Sequence, residues 1–432
     1  MRVMLISASP INMQTSIGNT FLNILAELDD IELFSIYTRS GSPDFGYIRE
    51  ALVVSEIGLV KSIINRDYTA NKITKVDIDS ADDRIKNSKL EGFAKKHSSD
   101  TLRIVKNIVW KFTPWKKCGI KEFIKEVDPD IIFTLFCSDT EVNDLILYTK
   151  MNSDAKLVLY AWDDHYSWCK FSVNPVLWIS KLLSRRKMRK VFKLSSKMYV
   201  ISDLQKQDYE IEFKKPLTVL TKGAVFEKDT KINHNINPVL QLRYTGNIGN
   251  GRWTTLAIIV DALKKINKNE IKAQLQIYSA TPITKKIRQA LECDSISSFM
   301  GNVSSDKIPY IQSEADILIH IESFKKREKR LVRQSFSTKI VDYLAMAKCI
   351  FAAGPADVAS IDYLIKNDAA VVATSKNEIE NKLRMLTEHH EMIARYGEKA
   401  WECGERDYRI QDIQNMLYND FEKIVNDAYG RS

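Results

Sequence analysis

Short apolar runs recur along this chain with room for a helix between each pair, and this alternation restricts the fold more than any other feature. Runs such as Arg2–Ser7 and Lys156–Ala161 are apolar at successive interior positions, which predicts strands covered on both faces and therefore parallel sheets flanked by helices. In the N-terminal half the spacing predicts strands at Arg2–Ser7, Ile31–Tyr37, Asp130–Phe136, Lys156–Ala161 and Lys197–Ile201. In the C-terminal half it predicts Leu240–Tyr244, Ala273–Tyr278, Ser297–Met300, Asp316–Ile321, Cys349–Ala353 and Ala369–Ala373. Helices fit Trp253–Ile266, where Leu256, Ile259, Val260, Leu263 and Ile266 form one stripe, and the long tail from Ile410 to Ala428. The fold class is thus α/β, with doubly wound sheets.

A length of 432 residues exceeds one compact core and suits two domains. The alternation is interrupted by a polar stretch from Asn65 to Asp100, an expected insertion at about 65–100, and again from Glu227 to Asn237, ended by Pro238. The expected division is a first domain over 1–225, a linker over 226–238, a second domain over 239–409, and a helix over 410–432 that returns to the first domain. The six cysteines, Cys118, Cys137, Cys169, Cys293, Cys349 and Cys403, show no paired or zinc-ligand spacing, which suits a reducing compartment and no metal. The first apolar run is broken by Ser7-Ala8-Ser9-Pro10, and no run approaches the length of a membrane span, so a cytoplasmic protein is expected. A net charge of +9 suits nucleic acid, anionic lipid or phosphorylated small molecules. Without a zinc finger or an RNP-type motif, nucleic acid is set aside as a partner.

Three segments of the second half carry groups suited to a phosphorylated ligand. Between a strand and a helix lies Tyr244-Thr245-Gly246-Asn247-Ile248-Gly249-Asn250-Gly251-Arg252-Trp253. Gly249 and Gly251 let backbone N–H groups approach a diphosphate, and Arg252 adds a cation; the alternative is a plain Gly-Asn turn. In Ser335–Gly354, Ser337 or Thr338 can cap a helix, with Lys339 in its first turn and Asp342 three residues on. That arrangement serves phosphate and ribose, or simply makes a capped helix. Gly301 and Asn302 form a strand-end loop placed to hold a nucleobase, and Glu322 ends the next strand; Arg327, Arg330 and Arg333 follow.

In the first half, the strand-to-helix loop from Ser9 reaches Gly18 and Asn19, an acceptor-side candidate. Another strand ends in Tyr160-Ala161-Trp162-Asp163-Asp164-His165-Tyr166-Ser167-Trp168, where Asp163, Asp164 and His165 among aromatics suit a sugar face and proton transfer, or only a structural loop. From Asn174 to Lys193, apolar and basic residues are mixed. This composition fits a helix on an anionic membrane surface, which would make the protein peripheral at the inner face of the cell membrane, and equally a solvated basic face packed on the sheet.

Taken in order, these segments resemble bacterial GT-B glycosyltransferases of the family 4 type. The likeness runs through the loop around Gly18, Asp163-Asp164-His165, Val200-Ile201-Ser202, Thr221-Lys222-Gly223, Thr245 to Arg252, the Gly301 loop with Ala315-Asp316-Ile317, and Ser337 to Gly354. His320-Ile321-Glu322-Ser323-Phe324 and Phe336-Ser337-Thr338-Lys339 look like a branch found in polysaccharide biosynthesis, capsule included. The resemblance implies two Rossmann-like domains facing across a cleft, a nucleotide-sugar donor, UDP- or GDP-linked, on the second, and a glycan or lipid-linked acceptor on the first. Transfer would retain configuration and need no metal or other cofactor. Arg252 and Lys339 would balance the diphosphate, His165 would stand near the reacting sugar, and Asp342 would stand for the second acid of the family's Glu-(seven residues)-Glu motif. Gln334 occupies the place of the first glutamate, with Glu322 farther upstream. A nucleotide-sugar epimerase and an inactive scaffold on the same architecture are the alternatives.

Overall fold

The computed structural model describes residues 1–28, 30–55, 59, 70–74, 107, 110–168, 174–227 and 236–429. Most of the expected insertion at about 65–100, residues 228–235 of the expected linker, and Cys169 lie outside them. The chain forms two units: Met1–Ile201 with Tyr209–Leu220 and Ile413–Ser432, and Ser202–Asp208 with Thr221–Asp412.

Among the described residues the first unit holds eight strands: β1 (Arg2–Ser7), β2 (Glu32–Tyr37), β3 (Ile48–Val53), β4 (Asn71–Thr74), β5 (Ile131–Leu135), β6 (Lys156–Ala161), β7 (Lys197–Val200) and β8 (Thr218–Val219). Their order is β4-β3-β2-β1-β5-β6-β7-β8, and every pair is parallel except β3 with β4. Val3 of β1 sits opposite Leu33 on one side and Ile131 on the other, so β1 and β5 are buried across their whole interiors. The apolar-run criterion misses β3, β4 and β8. Arg49 and Glu50 interrupt the first, the second is a polar antiparallel edge, and the third has two residues.

Helix α1 (Ser16–Leu25) follows β1, and α2 (Pro175–Leu194) lies between β6 and β7. The C-terminal helix Ile410–Tyr429 belongs to this unit from Ile413 onward. Phe421 is fully buried with its ring 5.4 Å from that of Phe133, the Tyr199 hydroxyl donates to Asp420 at 2.6 Å, and Gln414 donates to the Asn23 carbonyl at 2.9 Å.

The second unit is a six-stranded, fully parallel sheet: β9 (Leu240–Thr245), β10 (Ala273–Tyr278), β11 (Ser297–Gly301), β12 (Ile317–Ile321), β13 (Cys349–Ala353) and β14 (Val371–Ala373), ordered β11-β10-β9-β12-β13-β14. Helix α3 (Arg252–Ile266) buries the expected stripe of Leu256, Ile259, Val260, Leu263 and Ile266. Helix α4 (Lys339–Ala345) precedes β13. Asp316 stays outside β12 because its buried carboxylate accepts from the Gln241 backbone N–H at 2.7 Å and from Asn237.

In each sheet the strand order reverses once, between β1 and β5 in the first unit and between β9 and β12 in the second. Loops that leave such neighbours depart in opposite directions and open a crevice at the carboxyl ends of the strands. Both reversals lie beside the segments singled out from the sequence. The C-terminal helix is held chiefly by burial, so Phe421→Ala should cost about 3–5 kcal/mol in a urea unfolding curve followed by circular dichroism. An unchanged midpoint would mean that the helix is not part of the first unit's core.

Candidate functional site

The crevice of the second unit is built around Thr245, the last residue of β9. Its carbonyl accepts from Lys339 Nζ at 2.9 Å, and its hydroxyl lies 3.1 Å from the Tyr343 hydroxyl and accepts from Gln312 Nε2 at 3.0 Å. At Gly246, which follows, a Cβ would stand 2.7 Å from Lys339 Nζ, so a larger residue would displace the lysine's ammonium. Lys339 is thereby held in the wall of the crevice. Burial first, and then the charge of Arg252, lower its ammonium to about 8, with Lys222 acting the same way and Asp342 opposing.

Arg252 opens α3, immediately after Gly251, whose φ of +75° and close approach to the Ser323 hydroxyl both favour glycine. The guanidinium forms a two-pronged pair with Glu322 at the end of β12, Nε to Oε2 at 3.0 Å and Nη2 to Oε1 at 2.9 Å. Only 4% of the Glu322 side chain is exposed, and burial raises its carboxyl against the lowering effect of Arg252. Two residues earlier, His320 is buried with Nε2 lacking a partner. Burial, then Arg252 and Lys339, drive it down to about 3, so it stays neutral beside the two cations. Asp342 pairs with Lys222, in the segment that follows β8. Three cations therefore face two carboxylates in this crevice.

The expected residues fall into distinct settings. Neither Ser337 nor Thr338 caps α4 with its side chain: Thr338 already has helical backbone angles, and the Ser337 N–H donates to the Ser360 hydroxyl at 2.9 Å. Gly249 donates its N–H to the Asn247 side chain, closing a turn. Gly301 ends β11 at φ +76° with open space where a Cβ would be, and Asn302 beside it is exposed. Gln334, buried, donates to Asp208, while its carbonyl accepts from the Ser202 hydroxyl at 2.7 Å. Glu322 and Gln334 thus serve different partners. Lys222 and His320 lie in segments named for the family likeness without a role of their own, whereas Gln312 and Tyr343 carry no local signature.

In the first unit a cavity of about 270 Å³ opens at the ends of β1, β2, β5 and β6, lined among others by Ser9, Thr15, Arg39, Asp139, Trp162 and His165. Both Trp162 Nε1 and His165 Nε2 are buried without a hydrogen-bond partner. Such polar atoms beside a cavity favour a hydrogen-bonding ligand. His165 is steadied from behind, its carbonyl accepting from Lys181 Nζ of α2 at 2.6 Å.

Asp163 and Asp164 both take part in the hydrogen bonds of the loop after β6. Asp164 Oδ1 accepts from the N–H groups of Tyr166 and Ser167 and from the Tyr209 hydroxyl at 2.9 Å, and Asp163 accepts from the Asp164 N–H at 2.8 Å. Neither lines the cavity; both shape the loop that carries His165. Gly18 is also away from the cavity wall. Its own N–H is capped by Thr15, and a Cβ would sit 2.0 Å from the Asn12 carbonyl oxygen, so glycine is required by close packing. Asn19 is exposed one residue on. Among the described residues no group of three or more His, Cys, Asp or Glu is arranged to hold a metal ion.

The Arg252–Glu322 pair is mostly buried, so Glu322→Ala should lower stability by about 3–5 kcal/mol through the uncompensated guanidinium. The double variant Arg252→Ala/Glu322→Ala should lose less than the sum of the two single variants. Additive losses in thermal unfolding would contradict the coupling.

No family model matches the sequence, and no curated protein does. Among solved structures the chain is similar to HepE of Anabaena in complex with UDP, with a TM-score of 0.64 at 11% identity over 98% of this chain and 100% of that one. It is also similar to sucrose-phosphate synthase of Thermosynechococcus elongatus, with a TM-score of 0.62 at 9% identity over 98% and 99%. A third likeness is to the pneumococcal O-GlcNAc transferase GtfA in complex with UDP and GlcNAc, with a TM-score of 0.51 at 12% identity over 72% of this chain and 60% of that one. At such identities the likeness speaks for architecture: two Rossmann-like units of parallel sheet make this a GT-B fold.

Proposed function

We propose that this protein is a glycosyltransferase that moves a sugar from a nucleoside-diphosphate sugar to a hydroxyl of a glycan or lipid-linked acceptor. The observation that carries the reading is Lys339, a partly buried amine in the crevice of the second unit, held by the neutral Thr245 carbonyl, whose ammonium is destabilised by burial and then by Arg252. A bound diphosphate would supply the counter-charge that Lys339 lacks, and the fixed positions of Lys339 and Arg252 would stabilise the charge that gathers on the departing diphosphate.

In this reading Glu322 holds the Arg252 guanidinium in place at the start of α3. Asp342 exchanges part of its pairing with Lys222 for the ribose hydroxyls, and the Gly301–Asn302 turn lies against the base. The acceptor occupies the first-unit cavity, near the unpartnered nitrogens of His165 and Trp162. Because the HepE and GtfA structures contain UDP, a uridine diphosphate sugar is the first donor to try, with a guanosine diphosphate sugar second. Transfer with retention, without an essential metal, in the assembly of a cell-surface polysaccharide at the cytoplasmic side of the membrane, completes the proposal.

Calorimetric titration of UDP and GDP into the wild type and Lys339→Ala tests it. The loss of one charge-assisted contact should weaken binding about 10- to 100-fold. The ammonium form binds phosphate, so wild-type affinity should fall as pH rises through about 8, with proton uptake on binding near that pH. Lys339→Ala should show neither effect. No binding of either nucleotide, or equal affinity in both proteins, would overturn the reading.

A further inference from the structure

Helix α2 leaves a chemically divided face uncovered. At 3.6 residues per turn, Val176, Ile179, Leu182, Leu183, Arg186, Lys190 and Lys193 fall within about 120° of the helix circumference. The opposite side carries Met188, Val191 and Phe192, all buried against the first unit. On the open side Val176, Ile179, Leu182 and Leu183 are 49%, 59%, 43% and 57% exposed, and Arg186, Lys190 and Lys193 are exposed as well. The stripe is therefore apolar over the first turns and cationic over the last.

Several features favour a membrane over bulk water. Helix α2 contains seven Lys and Arg residues and no acid. Lys187 is paired with Asp144, and Arg189 with Glu212, whereas Arg186, Lys190 and Lys193 have no ion pair among the described residues. At the apolar end, Trp178 packs on Trp168 with ring centroids 5.0 Å apart, and Trp168 is 46% exposed. Indole rings of this kind are favoured at the boundary between headgroups and acyl chains. The helix is also fixed to its unit: Ser184 donates to the Ser138 carbonyl at 3.1 Å, and Lys181 to the carbonyl of His165. No helix among the described residues is long and apolar enough to cross a membrane.

We infer that α2 is a docking surface for an anionic lipid bilayer, with Val176, Ile179, Leu182 and Leu183 entering the acyl boundary and Arg186, Lys190 and Lys193 meeting anionic headgroups. The apolar end supplies burial, and the cationic end selects the charge of the surface. The inference rests on this face alone and holds whether or not the second unit binds a nucleotide.

Flotation of the full-length protein with phosphatidylcholine vesicles, with and without phosphatidylglycerol, tests it. The wild type should float with the anionic vesicles and much less with the neutral ones. The variant Arg186→Glu/Lys190→Glu/Lys193→Glu should partition at least about 100-fold more weakly, from a loss of about five-fold for each cation removed. Ile179→Glu/Leu183→Glu should also lose binding. Because these positions are exposed, circular dichroism and the melting midpoint of both variants should match the wild type. Wild-type protein that stays with the soluble fraction, or an Ile179→Glu/Leu183→Glu variant that floats as the wild type does, would overturn the inference.

Discussion

The single reversal of strand order in each sheet is the constraint on which the remaining structure depends. Parallel strands send all their carboxyl ends to one edge, and a reversal separates the loops that leave two adjacent strands. In the second unit this puts Thr245 at the end of β9, with Gly246 next, beside Glu322 after β12, with Lys339 and Arg252 brought in at the starts of two helices. In the first unit the same geometry leaves a cavity among the loops after β1, β5 and β6. Both candidate sites thus lie at places fixed by topology before any side chain is chosen.

What the side chains add in the second unit is a controlled imbalance of charge. Arg252 is held by Glu322, Lys222 is paired with Asp342, and Lys339 is left with the neutral carbonyl of Thr245 as its hydrogen-bond acceptor in the crevice. Desolvating an ammonium without full compensation costs stability, and an anionic ligand recovers it. His320 fits this economy of charge, since a buried imidazole kept neutral adds no further repulsion. The proposed nucleotide-sugar chemistry follows from that imbalance, while the GT-B architecture alone would fit other activities equally well.

Much of the fold was legible because β1, β5, β6, β12 and β13 are buried on both faces and so are largely apolar. Strands at the sheet's margin were not, since β4 faces water and β8 is too short to show a pattern. Lys339, Asp342 and Gly251 stood out because a helix start confers a local signature. Gln312 and Tyr343 did not, because they reach Thr245 only through the tertiary fold, and the pairing of Lys222 with Asp342 has the same origin. The engagement of Asp164 is partly local, with the N–H groups of Tyr166 and Ser167, and partly tertiary, with the Tyr209 hydroxyl on a distant helix, and only the second part is hidden from the sequence. Gly18 looked like a ligand-loop glycine, yet contact with Asn12 explains it.

The central claim is that the crevice at the β9–β12 reversal binds a nucleoside diphosphate. A crystal structure of the protein soaked with UDP examines this directly. The account predicts diphosphate oxygens within hydrogen-bonding distance of Lys339 and Arg252, with the ribose beside Asp342. Nucleotide bound at another place, or a crevice in which Lys339 keeps only its contact to Thr245 at saturating UDP, would contradict it.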